Sequence, residues 1–155
     1  MLQAATLGMR SALITINKRY IPWHLQQIKR LGLGERVTGV HAMQFEPGQI
    51  LAAFDDPEKI NKVCEIFDRQ ATPLVDAGAE VLIPAGGIPM LLFSSIKGHR
   101  AGDAPIINGI PIVLKQAEVA VKLRRLTGLQ VSRVGEYVKA PVEVIEEFMS
   151  HPKGL

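Results

Sequence analysis

The sequence predicts an α/β protein with a parallel sheet flanked by helices, in a Rossmann-like arrangement. Short apolar runs rich in β-branched residues alternate along the chain with longer amphipathic segments. The short runs are apolar on both faces, which is typical of parallel strands that helices cover on both sides. Strands and helices in alternation indicate a sheet built with right-handed crossovers.

Four segments are predicted as strands of this sheet. In chain order they are Ser11 to Ile16, Arg36 to Met43, Glu80 to Ile83 and Ile110 to Leu114. Because parallel strands end at one edge of a sheet, we expect the carboxyl ends of these four segments to lie together.

Three amphipathic helices should separate the strands. The first spans Ile21 to Leu31, the second follows the acidic start Asp55-Asp56-Pro57-Glu58, and the third spans Ala117 to Leu126. Pro73 should kink the second helix and Gly78 should end it. Gly128 should close the third.

The two ends of the chain differ from this alternation. Residues 1–128 are expected to form the α/β domain and residues 129–155 a C-terminal extension. The extension is predicted to contain a strand within Val131 to Val138 and a helix from Pro141 to Met149. Leu2 to Leu7 is typical of the last turns of a helix, but the strand that should precede this helix is absent. We therefore expect the chain to be a part of a larger protein fold.

Composition limits the classes of function. The chain has 155 residues, 47% of them hydrophobic, which is enough for one core. Lys and Arg exceed Asp and Glu by 18 to 15 without forming a run, so nucleic-acid binding is not expected. The single cysteine, Cys64, and the lack of a long apolar run favour a cytoplasmic protein without a membrane span.

The order of short segments resembles a known superfamily. The segments are Gly8-Met9-Arg10 with the strand after it, Ile21-Pro22, Gly34-Glu35-Arg36-Val37, Gly78 to Gly87, and Asn108-Gly109-Ile110-Pro111-Ile112. Together they look like the second half of the aspartate/glutamate/hydantoin racemases, over roughly residues 2–127. The resemblance implies a racemase-type α/β half and proton exchange at a carbon atom without a cofactor, by an acid and a base on opposite faces.

Departures from the racemase pattern concern its catalytic residues. The alignment puts Gly86 where the family's second catalytic cysteine stands, and the first cysteine belongs to the half that this chain does not contain. The acidic residue that commonly follows the family's last strand has no clear counterpart, because Leu114 and Lys115 occupy that region. Two-thiol racemisation is therefore not supported, and the catalytic residues stay unassigned.

The loop after the third predicted strand is the first candidate ligand site. Its residues are Ala85, Gly86, Gly87 and Ile88. Paired glycines let backbone N–H groups approach an anion closely, and ligands of open parallel sheets bind beyond the strands' carboxyl ends. The alternative is that the glycines only make a tight turn into a helix.

The turn after the first strand is the second candidate. Thr15, Asn17, Arg19 and Tyr20 offer hydroxyl, amide and guanidinium groups, and an arginine fork suits a carboxylate. A solvated surface turn explains the same residues equally well.

Other polar residues have weaker functional interpretations. Lys97 and His99 lie in a flexible basic loop and are possible ligand contacts, although a solvated loop is the simpler explanation. Cys64 lies on the apolar stripe of a helix and is expected to be a buried hydrophobic residue. The histidines have no partners at metal-ligand spacing, so no metal site is expected.

Three interpretations of the function follow. The first is an isomerase-type protein for a small carboxylate, an amino acid or a hydantoin-like ring, inactive as an isolated chain. The second is a non-catalytic small-anion-binding or oligomeric assembly domain with the same fold; a one-base reaction at His99, such as a decarboxylation, is a third possibility. A chain without its partner half should expose apolar surface, so we expect a homo-oligomer or association with a missing N-terminal half.

Overall fold

A parallel sheet forms the centre of the structure, a computed structural model that describes residues 1–151. Within these residues the sheet has three strands, β1 (Ser11–Thr15), β2 (Val37–Ala42) and β3 (Val81–Ala85). The strand order is β2-β1-β3, with all pairs parallel. β1 and β3 are buried along their whole length, as expected for largely apolar strands that are covered on both faces. The predicted α/β fold is confirmed.

Helices connect and cover the strands. They are α1 (Ile21–Arg30), α2 (Pro47–Leu51), α3 (Pro57–Asp76), α4 (Gly87–Ser95), α5 (Gly109–Thr127) and α6 (Val142–Ser150). A two-stranded antiparallel hairpin, β4 (Arg100–Ala101) and β5 (Ala104–Pro105), follows α4.

Each face of the sheet has its own core. On one face Ile14 and Leu82 pack with Phe67 of α3, and all three side chains are fully buried. On the other face Leu13 and its neighbours pack with Ile28 of α1. Burial of each such side chain contributes about 1.5–3 kcal/mol to folding, so both helices hold the sheet between them.

The ends of α3 follow from its sequence. The Asp56 carboxylate accepts hydrogen bonds from the backbone N–H groups of Glu58 and Lys59 at 3.1 and 3.3 Å and so caps the first turn. The helix continues through Pro73 to Asp76. Gly78 then adopts a φ of 92° and donates to the carbonyl oxygen of Val75 at 2.8 Å, which closes the helix as predicted.

The segment Ile110 to Leu114 is not a strand, and the prediction was wrong there. These residues lie in the first turns of α5. Asn108 explains the helix start, because its side-chain oxygen accepts from the backbone N–H of Ile110 at 2.9 Å. A parallel bridge beside β3 occurs earlier in the chain, between Ile106 and Leu82. The β-branched run suggested a strand, but the cap and the helix-forming residues after it decide the local structure.

The predictions for the chain ends need two further corrections. Val131 to Val138 forms no strand and contains only a short 3-10 helix at Gly135–Tyr137. The predicted helix after Pro141 is present as α6. At the N-terminus, Leu2 to Leu7 contains a 3-10 helix over Ala4–Thr6 instead of the end of an α-helix.

The chain separates into two compact units. The first spans Met1–Lys115 and contains the sheet, and the second begins at Gln116. Within residues 1–151, no helix is long and apolar enough to cross a membrane.

Candidate functional site

The carboxyl ends of the three strands meet at one edge of the sheet. Thr15, the last residue of β1, is in register with Ala42 of β2 on one side and with Ala85 of β3 on the other. Asn17 and Gly86 therefore follow neighbouring strands at the same edge. This is the part of an open parallel sheet where ligands commonly bind, and we call it the carboxyl edge.

Gly86 has a backbone conformation that other residues rarely adopt. Its φ is 123° and its ψ 158°, and it caps the N-terminus of α4. Its carbonyl oxygen accepts from the backbone N–H of Met90 at 3.1 Å. The first N–H groups of a helix have no acceptor within the helix, so those of Gly87 and Ile88 are available to a ligand. Gly86 is thus required by the shape of the turn that presents them.

Arg19 is paired with a carboxylate. Its guanidinium contacts both oxygens of Glu46, and both side chains are more than half exposed. The Asn17 side chain joins them: its oxygen accepts from the Arg19 backbone N–H at 3.1 Å, and its nitrogen donates to Glu46 at 3.1 Å. The arginine predicted to receive a substrate carboxylate thus already has an anionic partner, so a carboxylate ligand must compete with Glu46.

Thr15 points into the protein. Its hydroxyl lies 3.2 Å from Nε2 of His24 on α1, and the two residues are only 1% and 5% exposed. Burial lowers the pKa of His24 below its ordinary value, which keeps the ring neutral at pH 7. The Thr15–His24 pair therefore anchors α1 against the end of β1.

The remaining residues of the two candidate loops lie around this edge. Tyr20 is 37% exposed, and its ring lies 6.0 Å from the guanidinium carbon of Arg19. Ala85 is buried, whereas Ile88 is partly buried and packs against the core beneath α4.

His99 lies in a separate cleft beside the hairpin. Its Nε2 is 2.9 Å from the carboxylate of Asp68 on α3, and its ring centroid is 5.9 Å from that of Phe93. The cleft has a volume of about 210 Å³, and its wall includes Arg100 and Asn108. Lys97 precedes the hairpin and is exposed. The basic loop predicted here is thus partly ordered by β4 and by the Asp68 contact.

Cys64 is a core residue, as predicted. It is 9% exposed and belongs to the apolar cluster beneath α3. Burial raises the pKa of its thiol, and the negative charge of Asp68 raises it further. The thiol stays protonated and apolar at neutral pH, which is unfavourable for a nucleophile or a general base.

Asn108 lies two residues after the bridge at Ile106, whereas Leu114 and Lys115 lie farther along the chain, in α5. Its amide nitrogen donates to the carbonyl oxygen of Met90 at 2.7 Å, and its oxygen caps α5. The Asn108 side chain thus links α4 to the start of α5.

Three partners were missed by the sequence interpretation. Glu46 follows β2 closely, so the strand-end argument applied to β1 and β3 would have found it. His24 and Asp68 lie on helices, and their distances along the sequence from Thr15 and His99 match no motif that would have predicted the contacts. Among the described residues, no group of three or more His, Cys, Asp or Glu side chains could hold a metal ion.

Comparison with known proteins identifies the fold. No protein-family model and no curated protein sequence matches the chain. The allantoin racemase of Pseudomonas fluorescens superposes with a TM-score of 0.66 at 23% identity, over 90% of this chain and 55% of that one. The allantoin racemase of Klebsiella pneumoniae gives 0.66 at 19% identity, over 90% and 53%. The chain therefore spans about half the length of these solved structures and shares the fold of the racemases over that half.

Proposed function

We propose that the unit Met1–Lys115 is a racemase-type domain that binds a small hydantoin-like ring or carboxylate at the carboxyl edge and does not racemise it alone. The observation that carries the proposal is the register of Thr15 with Ala85, which sets the Asn17 turn beside the Gly86-Gly87 turn. The fold shared with two allantoin racemases supports the same class of ligand.

The donors of the edge suit a carbonyl or carboxylate oxygen. The backbone N–H groups of Gly87 and Ile88 begin α4, where the helix dipole favours negative charge. Pro89 follows them and has no N–H, so only these two of the first three residues of α4 can donate.

Glu46 favours a hydantoin-type ring over a free carboxylate. The ring N–H groups of a hydantoin can donate hydrogen bonds to a carboxylate. Its carbonyl oxygens can accept hydrogen bonds from the N–H groups at the start of a helix. The Glu46 carboxylate stands beside Asn17 and Arg19 and would repel a second carboxylate unless Arg19 were released. Allantoin, which carries such a ring, is therefore the preferred probe.

Catalysis by this chain alone is not expected. Racemisation needs an acid and a base on opposite faces of the stereogenic carbon. Gly86 provides neither, and the Cys64 thiol is buried in the core with a raised pKa. Binding is the activity that the described residues support.

A non-catalytic assembly domain is the second candidate. The observation that favours it is the exposure of the apolar side chains in the unit that begins at Gln116. The two functions are compatible, because ligand binding and assembly use different units of the chain.

Binding is tested by titration calorimetry with allantoin and with L-aspartate. Wild-type protein should prefer allantoin, and Glu46→Gln should weaken allantoin binding while it strengthens aspartate binding about tenfold, by releasing Arg19. Glu35→Gln, an equal change outside the carboxyl edge, should alter neither affinity. No binding of either ligand, or identical effects of the two variants, would refute the proposed site.

Racemisation is tested on the same samples. Incubation of one allantoin enantiomer with the protein in D₂O should give no loss of optical rotation and no deuterium incorporation above the rate without protein. Protein-dependent exchange that Cys64→Ala abolishes would contradict the proposal and restore thiol catalysis.

A further inference from the structure

The unit that begins at Gln116 exposes nearly all of its apolar side chains. Every residue from 116 to 151 is exposed, including Leu126 at 81% and Phe148 at 72%. So many exposed large apolar side chains within one short segment are unusual on a monomer, and large apolar patches are normally covered by a partner. The unit therefore contains a surface that another chain segment is suited to cover.

An apolar groove lies within this unit. It has a volume of about 480 Å³ and is formed by the second half of α5 and the segment after it. Its wall has four large apolar side chains and two arginines: Val121, Leu123, Leu129, Val131, Arg124 and Arg133. The wall of the groove thus combines apolar surface with two positive charges, which favours an apolar segment that carries negative charge.

Helix α6 has the matching properties. At about 100° per residue, its five apolar residues fall on one face and its three glutamates on the other. Glu146 and Glu147 lie at the two borders of the apolar face, and Glu143 lies between them at the centre of the polar face. Ile145, Phe148 and Met149 of that apolar face are 48%, 72% and 65% exposed. No residue of α6 lines the described wall of the groove.

We propose that two copies of this chain dimerise by exchanging α6, so that the helix of each copy fills the groove of the other. The apolar face enters the groove, and Glu146 and Glu147 pair with Arg124 and Arg133 at its sides. The exchange is reciprocal, so the same contact between helix and groove forms twice, as in two-fold symmetric dimers. A helix laid into an apolar groove is also a common mode of peptide recognition.

The charges distinguish this occupant from others. A volume of this size would also admit a small apolar molecule, but such a ligand would leave both arginines unpaired and the face of α6 bare. The structure leaves α6 outside its own groove, whereas a second copy covers both surfaces at once.

Two charge-reversed chains test the exchange. The first carries Arg124→Glu with Arg133→Glu, and the second carries Glu146→Arg with Glu147→Arg. In the first chain groove and helix are both acidic, and in the second both are basic, so neither should pair with itself. A mixture restores both contacts, because the acidic groove accepts the basic helix and the basic groove accepts the acidic helix. The control carries Glu136→Arg with Glu143→Arg, an equal change of charge away from the borders of the apolar face.

Sedimentation equilibrium on the full-length chains gives the readout, with circular dichroism to check that helix content is unchanged. Wild type and control should be dimers at micromolar concentration. Each reversed chain alone should have a dimer Kd raised about tenfold or more, and the mixture should form a heterodimer close to wild type in affinity. A monomeric wild type, including one that holds α6 in its own groove, overturns the proposal. Reversed chains that dimerise like wild type, or a mixture that does not recover, also overturn it.

Discussion

Replacing Gly86 with alanine tests the conformation of the turn at the carboxyl edge. Gly86 has a φ of 123°, whereas Gly87, the next residue, is the first residue of α4 and has no positive φ. A Cβ atom built on Gly86 would meet only Pro89, at 3.5 Å, and one on Gly87 would meet nothing within 4 Å. Crowding is therefore absent at both positions, and the two substitutions differ only in backbone strain.

The magnitude follows from this pairing. Glycine to alanine restricts the unfolded chain and on that account stabilises a protein by about 0.4–1 kcal/mol. This contribution is common to both variants and cancels in their difference. An L-residue in the backbone region of Gly86 costs about 1–3 kcal/mol. Gly86→Ala should thus be less stable than Gly87→Ala by about 1–3 kcal/mol.

Urea denaturation of both variants measures this difference, provided that their m-values agree. Equal stability of the two variants would refute the conformation assigned to Gly86. The same strain applies to Gly86→Cys, so a cysteine introduced at this position would carry the same cost.

Two further predictions concern buried titratable groups. Because burial lowers the pKa of His24 in the folded state, its stabilising contribution is present above pH 6.5, the ordinary histidine value, and is lost as pH falls further. The glutamine of His24→Gln can still contact Thr15 but does not titrate. When urea denaturation is compared above and below that pH, the free energy of unfolding should fall less at the lower pH for this variant than for wild type. An equal fall in both proteins would refute the burial of a neutral His24. Cys64→Ala should lower the free energy of unfolding by about 1 kcal/mol. The native Cys64 thiol should react with a disulfide reagent only as fast as the protein unfolds, and rapid labelling of folded protein would contradict its burial.

The sheet could be predicted because its strands carry their own signal. Ser11 to Thr15 and Val81 to Ala85 are buried on both faces. In a small domain, a short and largely apolar segment of this kind is typical of a buried parallel strand. Their parallel register then follows from the helices between them. The placement of the two candidate loops at one edge depends only on these elements.

The errors arose where local and long-range interactions compete. Ile110 to Leu114 has the composition of a strand, but Asn108 caps a helix there. Val131 to Val138 also has β-branched residues but has no neighbouring strand, and a strand without a partner is not stable in water.

Side-chain pairs across the fold could not be read from sequence spacing. Glu46 lies 27 positions from Arg19 and His99 lies 31 positions from Asp68, so no spacing rule connects them. The position of Glu46 just after β2 could have been used, but not the identity of its partner. The Glu46 contact matters most for function, because it turns the expected carboxylate receptor into an ion pair.

Ligand binding at the carboxyl edge can be observed residue by residue in a ¹⁵N NMR titration of the chain with allantoin. We expect saturable shifts of the backbone amides of Gly87 and Ile88, together with the Asn17 side-chain amide. No comparable shift is expected for His99 or Arg100, which lie at the separate cleft. Shifts confined to that cleft, or no shift at any amide of the carboxyl edge at millimolar allantoin, would contradict ligand binding at this edge.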